Sequence, residues 1–353
     1  MKERKRLFRT AAVVLTTGLL SVAVLGCASD TGKGKGEQRY AYPLGTASPE
    51  DTVTQIYAEK FAEEADRLSG GRIKISVYPN SVLGGDRELL ESCYDGDIPF
   101  VVQNTAPQVN FIKDTAVFDM PCVFQDIESM RETVDDAEFM EKMQESYRSA
   151  GYELLGYADQ GFRVMSTNKK VETISDFKGQ KIRTMEDPYQ LAFWKALGAN
   201  PTPMNFSEVY IGLQQNTIDA QENPYEVIVS NRLYEQQDYI IETNHVPHLI
   251  SLIISEKFYS NLPKEDREIL IEAQEIAKQY AREKSDERMN EKIQVIKESG
   301  TKIISLDETT YEQMQAVSKS VYKKIAQTAD GEIINLYMKA VSYTHLTLPT
   351  ICS

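Results

Sequence analysis

The sequence predicts an α/β protein built as two lobes and braced by one long helix. Three observations carry this expectation. Extended and helical segments alternate along the chain, the cycle that lays helices against sheets. Roughly 300 residues follow the N-terminal linker, more than a single core usually holds. Residues Lys264 to Ser299 run for 36 positions without a glycine or proline, and a helix of that length cannot bury its face against one small lobe.

Taken in order, Arg39 to Pro43 reads as extended. A helix is expected from Ser48 or Glu50 to Leu68, with Ser48-Pro49 as N-cap and first-turn proline, and Ser69-Gly70-Gly71 ends it. Arg72 to Tyr78 alternates polar and apolar residues at period two, a strand pattern. Gly84-Gly85-Asp86 reads as a tight turn that leaves Asp86 near a helix N-terminus; it has neither the spacing nor the lysine of a phosphate loop. The cycle repeats after Gly151. Tyr152 to Ala158 and Phe162 to Thr167 read as extended, Ile174 to Gly179 as a turn, and Lys181-Ile182-Arg183 as a strand of a second lobe.

Asn261-Leu262-Pro263 announces the long helix and Gly300 closes it. Along it Ile269, Leu270, Ala273, Ile276, Ala277 and Tyr280 recur at three- and four-residue steps, giving one apolar face. The expectation is a strut across both lobes. A coiled-coil dimer is the alternative, although the stripe does not keep strict heptads. Lys302 to Leu306 reads as a short strand, and a last amphipathic helix is expected from about Glu308 to Lys339.

The two ends are of another kind. Lys2, Arg4, Lys5, Arg6 and Arg9 precede an apolar run from Ala11 to Leu25, the make-up of a secretory signal peptide. The run falls short of the roughly 20 residues that span a bilayer. It stops at Val24-Leu25-Gly26-Cys27, which resembles a lipoprotein cleavage site, so Cys27 is expected to be the acylated first residue of the mature chain. Residues 27–38, rich in Ser, Thr, Gly and Lys, read as a flexible tether. At the other end, residues 340–353 carry no charge and break the helical pattern; Ser342 to Ser353 resembles a translated read-through, with a genuine but disordered tail as the alternative.

The chain carries a net charge of −14, and removing residues 1–26, with five Lys/Arg and one Glu, takes it to −18. Nucleic acid is therefore not an expected partner. Of the four cysteines, Cys93 and Cys122 remain inside the folded part, either as a disulfide or as two buried thiols. Without a C-x-x-C pair, and with Pro247 separating His245 from His248, no metal site is expected, and no cofactor. No nucleophile with a base and no catalytic carboxylate pair stands out. What does stand out is two arginines beside apolar residues in predicted strands, Arg163 in Gly161-Phe162-Arg163 and Arg183 in Lys181-Ile182-Arg183. Arginine suits a planar, two-bond grip on a carboxylate. From pattern alone, each is either such a grip or an internal salt bridge.

Six segments together resemble the solute receptors of TRAP (tripartite ATP-independent periplasmic) transporters, the DctP-like family. They are Leu83-Gly84-Gly85-Asp86-Arg87-Glu88; Gly161-Phe162-Arg163 with Thr167-Asn168; Asp176 to Arg183; Leu197 to Met204; Phe206-Ser207-Glu208-Val209-Tyr210; and Gln221-Glu222-Asn223-Pro224. The resemblance implies a two-lobed, periplasmic-binding-protein-like fold with an interlobe cleft and hinge strands. Lobe I would comprise 39–160 with about 249–288, and lobe II 161–248 with about 289–339. It implies a non-catalytic receptor in which Arg183 pairs with a ligand carboxylate, Arg163 and Asn223 assist, and Phe206 packs on the carbon skeleton. Asn104 and Glu186 complete the expected ligand-binding set. The implied partners are a small organic acid, the small and large membrane subunits of the transporter, and the membrane through a lipid anchor on the extracytoplasmic side, with the receptor itself a monomer.

The chain departs from the family at Thr184-Met185-Glu186-Asp187, which places carboxylates near the pocket. These acids would repel a second ligand carboxylate and accept hydrogen bonds from hydroxyls, favouring a uronate or keto-sugar acid. Asp219-Ala220 is a further departure, expected to strain a turn. A lipid-anchored hydrolase or lyase acting on acidic carbohydrate, or a sensory receptor of the same fold, are the alternative functions.

Overall fold

The structure is a computed structural model and describes residues 41–339. The expected signal peptide, Cys27, the tether and the 340–353 tail lie outside the described residues. Among the described residues no helix is long and apolar enough to cross a membrane.

The first half alternates strand and helix: β1 (Ala41–Gly45), α1 (Val53–Leu68), β2 (Lys74–Tyr78), α2 (Asp86–Asp95) and β3 (Phe100–Asn104). Two 3-10 turns, Ala106–Asn110 and Lys113–Asp119, lead to α3 (Ile127–Asp135), α4 (Ala137–Ser149) and β4 (Tyr152–Phe162). There follow β5 (Val164–Thr167), β6 (Lys181–Thr184), α5 (Pro188–Ala196), β7 (Asn200–Pro203), α6 (Val209–Gln214), β8 (Ala220–Asn223), α7 (Tyr225–Ser230) and β9 (Tyr239–Glu242). The described residues end with β10 (Pro247–Ser255), α8 (Glu256–Tyr259), α9 (Lys264–Ser299), β11 (Lys302–Ser305), α10 (Glu308–Ile325) and α11 (Gly331–Lys339).

These strands form two sheets. One has the order β2-β1-β3-β10-β4, the other β11-β9-β5-β8-β6-β7. In the first, β1 runs parallel to β2 and β3, whereas β10 is antiparallel to β3 and β4. The chain passes between the sheets at two adjacent points. At one, β4 gives way to β5 at Arg163; at the other, residues 243–246 lead from β9 to β10, and the Arg163 N–H donates to Val246 O at 2.9 Å. A third crossing is α9, about 54 Å long at 1.5 Å per residue. Its Leu270, Ala273, Ala277 and Ala281 pack with α1 under the first sheet, and its Ile296 packs under the second. The expected strut is there, with Tyr280 at the rim of its apolar stripe, exposed beneath Lys60.

Three sequence expectations are corrected. Helix α1 begins at Val53 and not at Ser48-Pro49: Asp51 adopts φ 57° and Thr52 is the N-cap, its hydroxyl accepting from Gln55 N–H. The Asp51 carboxylate is held by Arg288 (2.5 Å) and Lys292 (2.9 Å) of α9, which fixes this left-handed turn from 237 residues away. The last helix is two helices, because Asp330 caps a new start through the Glu332 and Ile333 N–H groups. Helix α10 packs on α5, while α11 packs on α3 and α4, so the segment 289–339 divides between the two sheets. Asp219-Ala220 shows no left-handed φ; that conformation falls on Asn216 (φ 57°), and Asp219 accepts from Lys181 N–H at 2.9 Å. Cys93 and Cys122 are both buried, free thiols.

Candidate ligand-binding cleft

The ends of β1, β3 and β10 in one lobe face the ends of β6 and β8 in the other across a cleft. From the first lobe come Ser48, Pro49, Asp86, Asn104 and His248; from the second come Arg183, Met185, Phe206, Asn223 and Val227. This inner recess and a wider mouth of about 350 Å³ share Asp86, Arg183 and Met185. A space of that size suits a small organic ligand. Ser48-Pro49, expected to open a helix, is part of the cleft wall.

Arg183 sits inside β6 and is 2% exposed. Its Nε and Nη2 donate to Met204 O at 2.9 and 2.7 Å, and its guanidinium lies 5.7 Å from the Phe206 ring centre. Nη1 is buried without a hydrogen-bond partner. Burial lowers the Arg183 pKa to about 10, offset in part by Glu222, so the side chain stays charged at neutral pH. A buried cation with an unused donor is costly unless an anion completes it.

Arg163, 1% exposed, occupies the corner between β4 and β5 and is held internally. Nε donates to Glu222 Oε2 at 2.5 Å, Nη2 to Glu222 Oε1 at 2.8 Å and to Asn223 Oδ1 at 3.0 Å, and Nη1 lies 2.5 Å from His248 Nδ1. Glu222 also lies 3.1 Å from His245 Nε2. Burial would raise the Glu222 carboxyl, but Arg163 and His245 overcome it and hold its pKa at about 2. Burial pushes both histidines down, His248 well below its ordinary value. The salt-bridge alternative thus describes Arg163 here: it stands behind the wall and fixes Asn223 within it.

Asn223 is 4% exposed; its Nδ2 donates to Gln221 Oε1 at 2.6 Å. Asn104 ends β3, donates to Leu249 O at 2.9 Å and accepts from Ala106 N–H at 3.0 Å, so it lines the recess with its amide already paired. Phe206 stands beside Arg183 in the recess. Glu186 sits at the mouth, its carboxylate accepting from Arg87 Nε at 2.9 Å and its backbone carbonyl from Asn110 Nδ2 at 2.7 Å. Both contacts cross from the second lobe to the first. With Arg87 42% and Glu186 57% exposed, the ion pair is a weak latch. Replacing Glu186 by glutamine is expected to change unfolding free energy by less than about 1 kcal/mol, measured by chemical denaturation.

The sequence reading left Asp86 as a turn residue and passed over Glu222 and His248. Asp86 begins α2 after Gly84 (φ 126°) and Gly85, and it lines both parts of the cleft. Burial raises its pKa to about 6 against the pull of Arg183. Its signals in the sequence were the Gly-Gly turn and its place in the Leu83–Glu88 segment. The pairing of Glu222 and His248 with Arg163 has no local signal, because Arg163 lies 59 and 85 residues away.

Two α/β lobes joined by crossing strands, with a charged cleft between them, define a two-lobed binding protein. Residues 44–329 match the bacterial extracellular solute-binding protein family 7, DctP, and the chain belongs to that family. It is 28% identical over 291 residues to the 2,3-diketo-L-gulonate-binding periplasmic protein YiaO of Escherichia coli, covering 81% of this chain and 88% of that protein. The sugar acid binding protein DctPAm of Advenella mimigardefordensis, solved with galactonate, superimposes with a TM-score of 0.82 at 26% identity, covering 86% of this chain and 98% of that one. A TRAP periplasmic solute binding protein of Shewanella oneidensis, solved with succinate, gives 0.81 at 28% identity, over 86% and 99%. All three are solute-binding proteins.

Proposed function

We propose that this chain is the extracytoplasmic receptor of a TRAP transporter and captures a monocarboxylate sugar acid between its lobes. The observation that carries the reading is Arg183 Nη1, a buried cationic donor without a partner in the wall of the cleft. The ligand carboxylate completes it. Asn223, oriented by Arg163, borders the same spot, and Phe206 covers the carbon skeleton. Asp86, Glu88, Glu186 and Glu208 line the mouth. They suit hydroxyl donors and oppose a second carboxylate, which favours acids such as those carried by the galactonate and diketogulonate relatives over succinate.

Residues of both lobes hold the ligand only when the cleft is shut, so capture proceeds by hinge closure about the β4–β5 and β9–β10 crossings. The shut form is what the small and large membrane subunits receive. Cys27 carries the lipid that keeps the monomeric receptor at the membrane, and the chain performs no catalysis.

Thermal stabilisation across galactonate, galacturonate, diketogulonate, sialic acid and succinate tests the reading. A ligand at 100 times its dissociation constant adds about 2.7 kcal/mol. A shift with a sugar acid and none with succinate is expected; a shift with succinate alone would overturn the class, and recovery of a chemically altered ligand would overturn the receptor.

A further inference from the structure

Away from the cleft wall, the lobes also meet through two aspartates that ligand capture does not use. Asp119 ends the 3-10 turn Lys113–Asp119, which packs on α4 and α11, and Asp187 is the N-cap of α5 in the other lobe. Asp187 Oδ1 accepts from the Tyr189 and Gln190 N–H groups at 2.6 and 2.9 Å, and Asp119 Oδ1 accepts from Gln190 Nε2 at 3.0 Å. The second oxygen of each, Oδ2, is buried and receives a donor from no other group. The two carboxyls lie within hydrogen-bonding reach of each other, and the residues are 3% and 0% exposed.

Two ionised carboxylates at such a distance, shut off from water, repel each other and leave two acceptors unsatisfied. One proton between the Oδ2 atoms removes both penalties. We infer that the Asp119–Asp187 pair is a binding site for a single proton, that this proton joins the two lobes, and that its occupancy is linked to the lobe arrangement described above.

The charged and titratable groups around the pair are Arg163 at the β4–β5 corner, Glu222 on β8 and Tyr337 on α11. Arg163 favours the single remaining negative charge, and Glu222 opposes a second. Burial, then the neighbouring Asp187 charge, push Asp119 well above the ordinary carboxylate range, and burial raises Asp187 as well. The folded form therefore holds a proton that the unfolded chain releases near 3.8. The stabilisation is complete below that value and is lost as pH rises through the pair's own titration.

The sole tryptophan, Trp194, lies on α5 itself and reports on this junction. The experiment follows thermal unfolding of the intact chain by Trp194 fluorescence from acid to alkaline pH, the direction in which a raised carboxyl gives up its proton. Asp187→Asn and Asp119→Asn are run beside the natural chain. Asparagine keeps an acceptor oxygen, caps a helix as well as aspartate does, and offers an N–H where the shared proton stood. Both variants are expected to melt progressively higher than the natural chain as pH rises, with the double variant adding nothing further. Asp86, also raised by burial, titrates in every chain, so the difference between chains is what counts. Parallel profiles for all chains would overturn the proton site.

The link to capture rests on the receptor reading, and a second arm separates the two. The dissociation constant for D-galacturonate is expected to weaken with pH by up to about tenfold per unit in the natural chain, and to stay flat in Asp187→Asn. A melting gap with no galacturonate binding at any pH supports the proton site and counts against the ligand reading alone. A melting gap with pH-independent affinity overturns the link between proton and capture.

Discussion

Arg183→Ala is expected to abolish capture of sugar acids while leaving the fold intact. The guanidinium already uses Nε and Nη2 on Met204 O, so Nη1 and the second hydrogen of Nη2 remain for a carboxylate. Two charge-assisted bonds contribute about 1.5–3 kcal/mol each. Against a micromolar affinity of about −8 kcal/mol, losing both weakens binding by roughly two to four decades. Titration calorimetry with galactonate and galacturonate reads this directly.

The same substitution removes a buried, incompletely paired cation. Unliganded stability therefore falls little or rises, and a large drop in the ligand-free melting temperature would instead make Arg183 a structural residue. Arg183→Lys separates charge from geometry: lysine restores the charge but not the planar fork. It is expected to recover part of the affinity and none of the Phe206 stacking.

The features legible in the sequence were those written locally. Pro263 and Gly300 bound α9, so its 36 residues were read to the exact ends. Arg183 stood out as an arginine beside an isoleucine in a strand, a pattern that left a carboxylate grip and an internal salt bridge open, and the structure puts it in the cleft wall with Nη1 unpaired. What stayed hidden depended on partners far along the chain. The start of α1 has a local signal, the Thr52 cap on Gln55 N–H, but what turns the chain there is Arg288 and Lys292 holding Asp51 from far along the sequence. Asp187 looked like one more acid near the pocket, yet its partner Asp119 lies 68 residues earlier in another lobe. The break between α10 and α11 follows from Asp330 and from the docking of α11 on α3 and α4, which periodicity cannot express.

The pattern around Arg163 left its partner open, and the structure pairs it with Glu222. Arg163→Ala is expected to destabilise the protein by about 3–5 kcal/mol, because it strands the buried Glu222 carboxylate without its principal cation. Urea denaturation at neutral pH measures that loss, and the pH dependence identifies its source. In the natural chain the Glu222 carboxyl is held at about 2, below its ordinary 4.5. Its contribution is therefore present above pH 4.5 and fades as pH falls toward 2. Without Arg163 burial dominates, the carboxyl titrates upward, and the variant's deficit is greatest at neutral pH and shrinks on acidification. Glu222→Gln removes the charge that Arg163 needs and leaves Arg163 as the stranded partner; acidification cannot rescue it. A deficit in Arg163→Ala that does not shrink with acid would place the loss in packing around Asn223 and His248, and not in the ion pair.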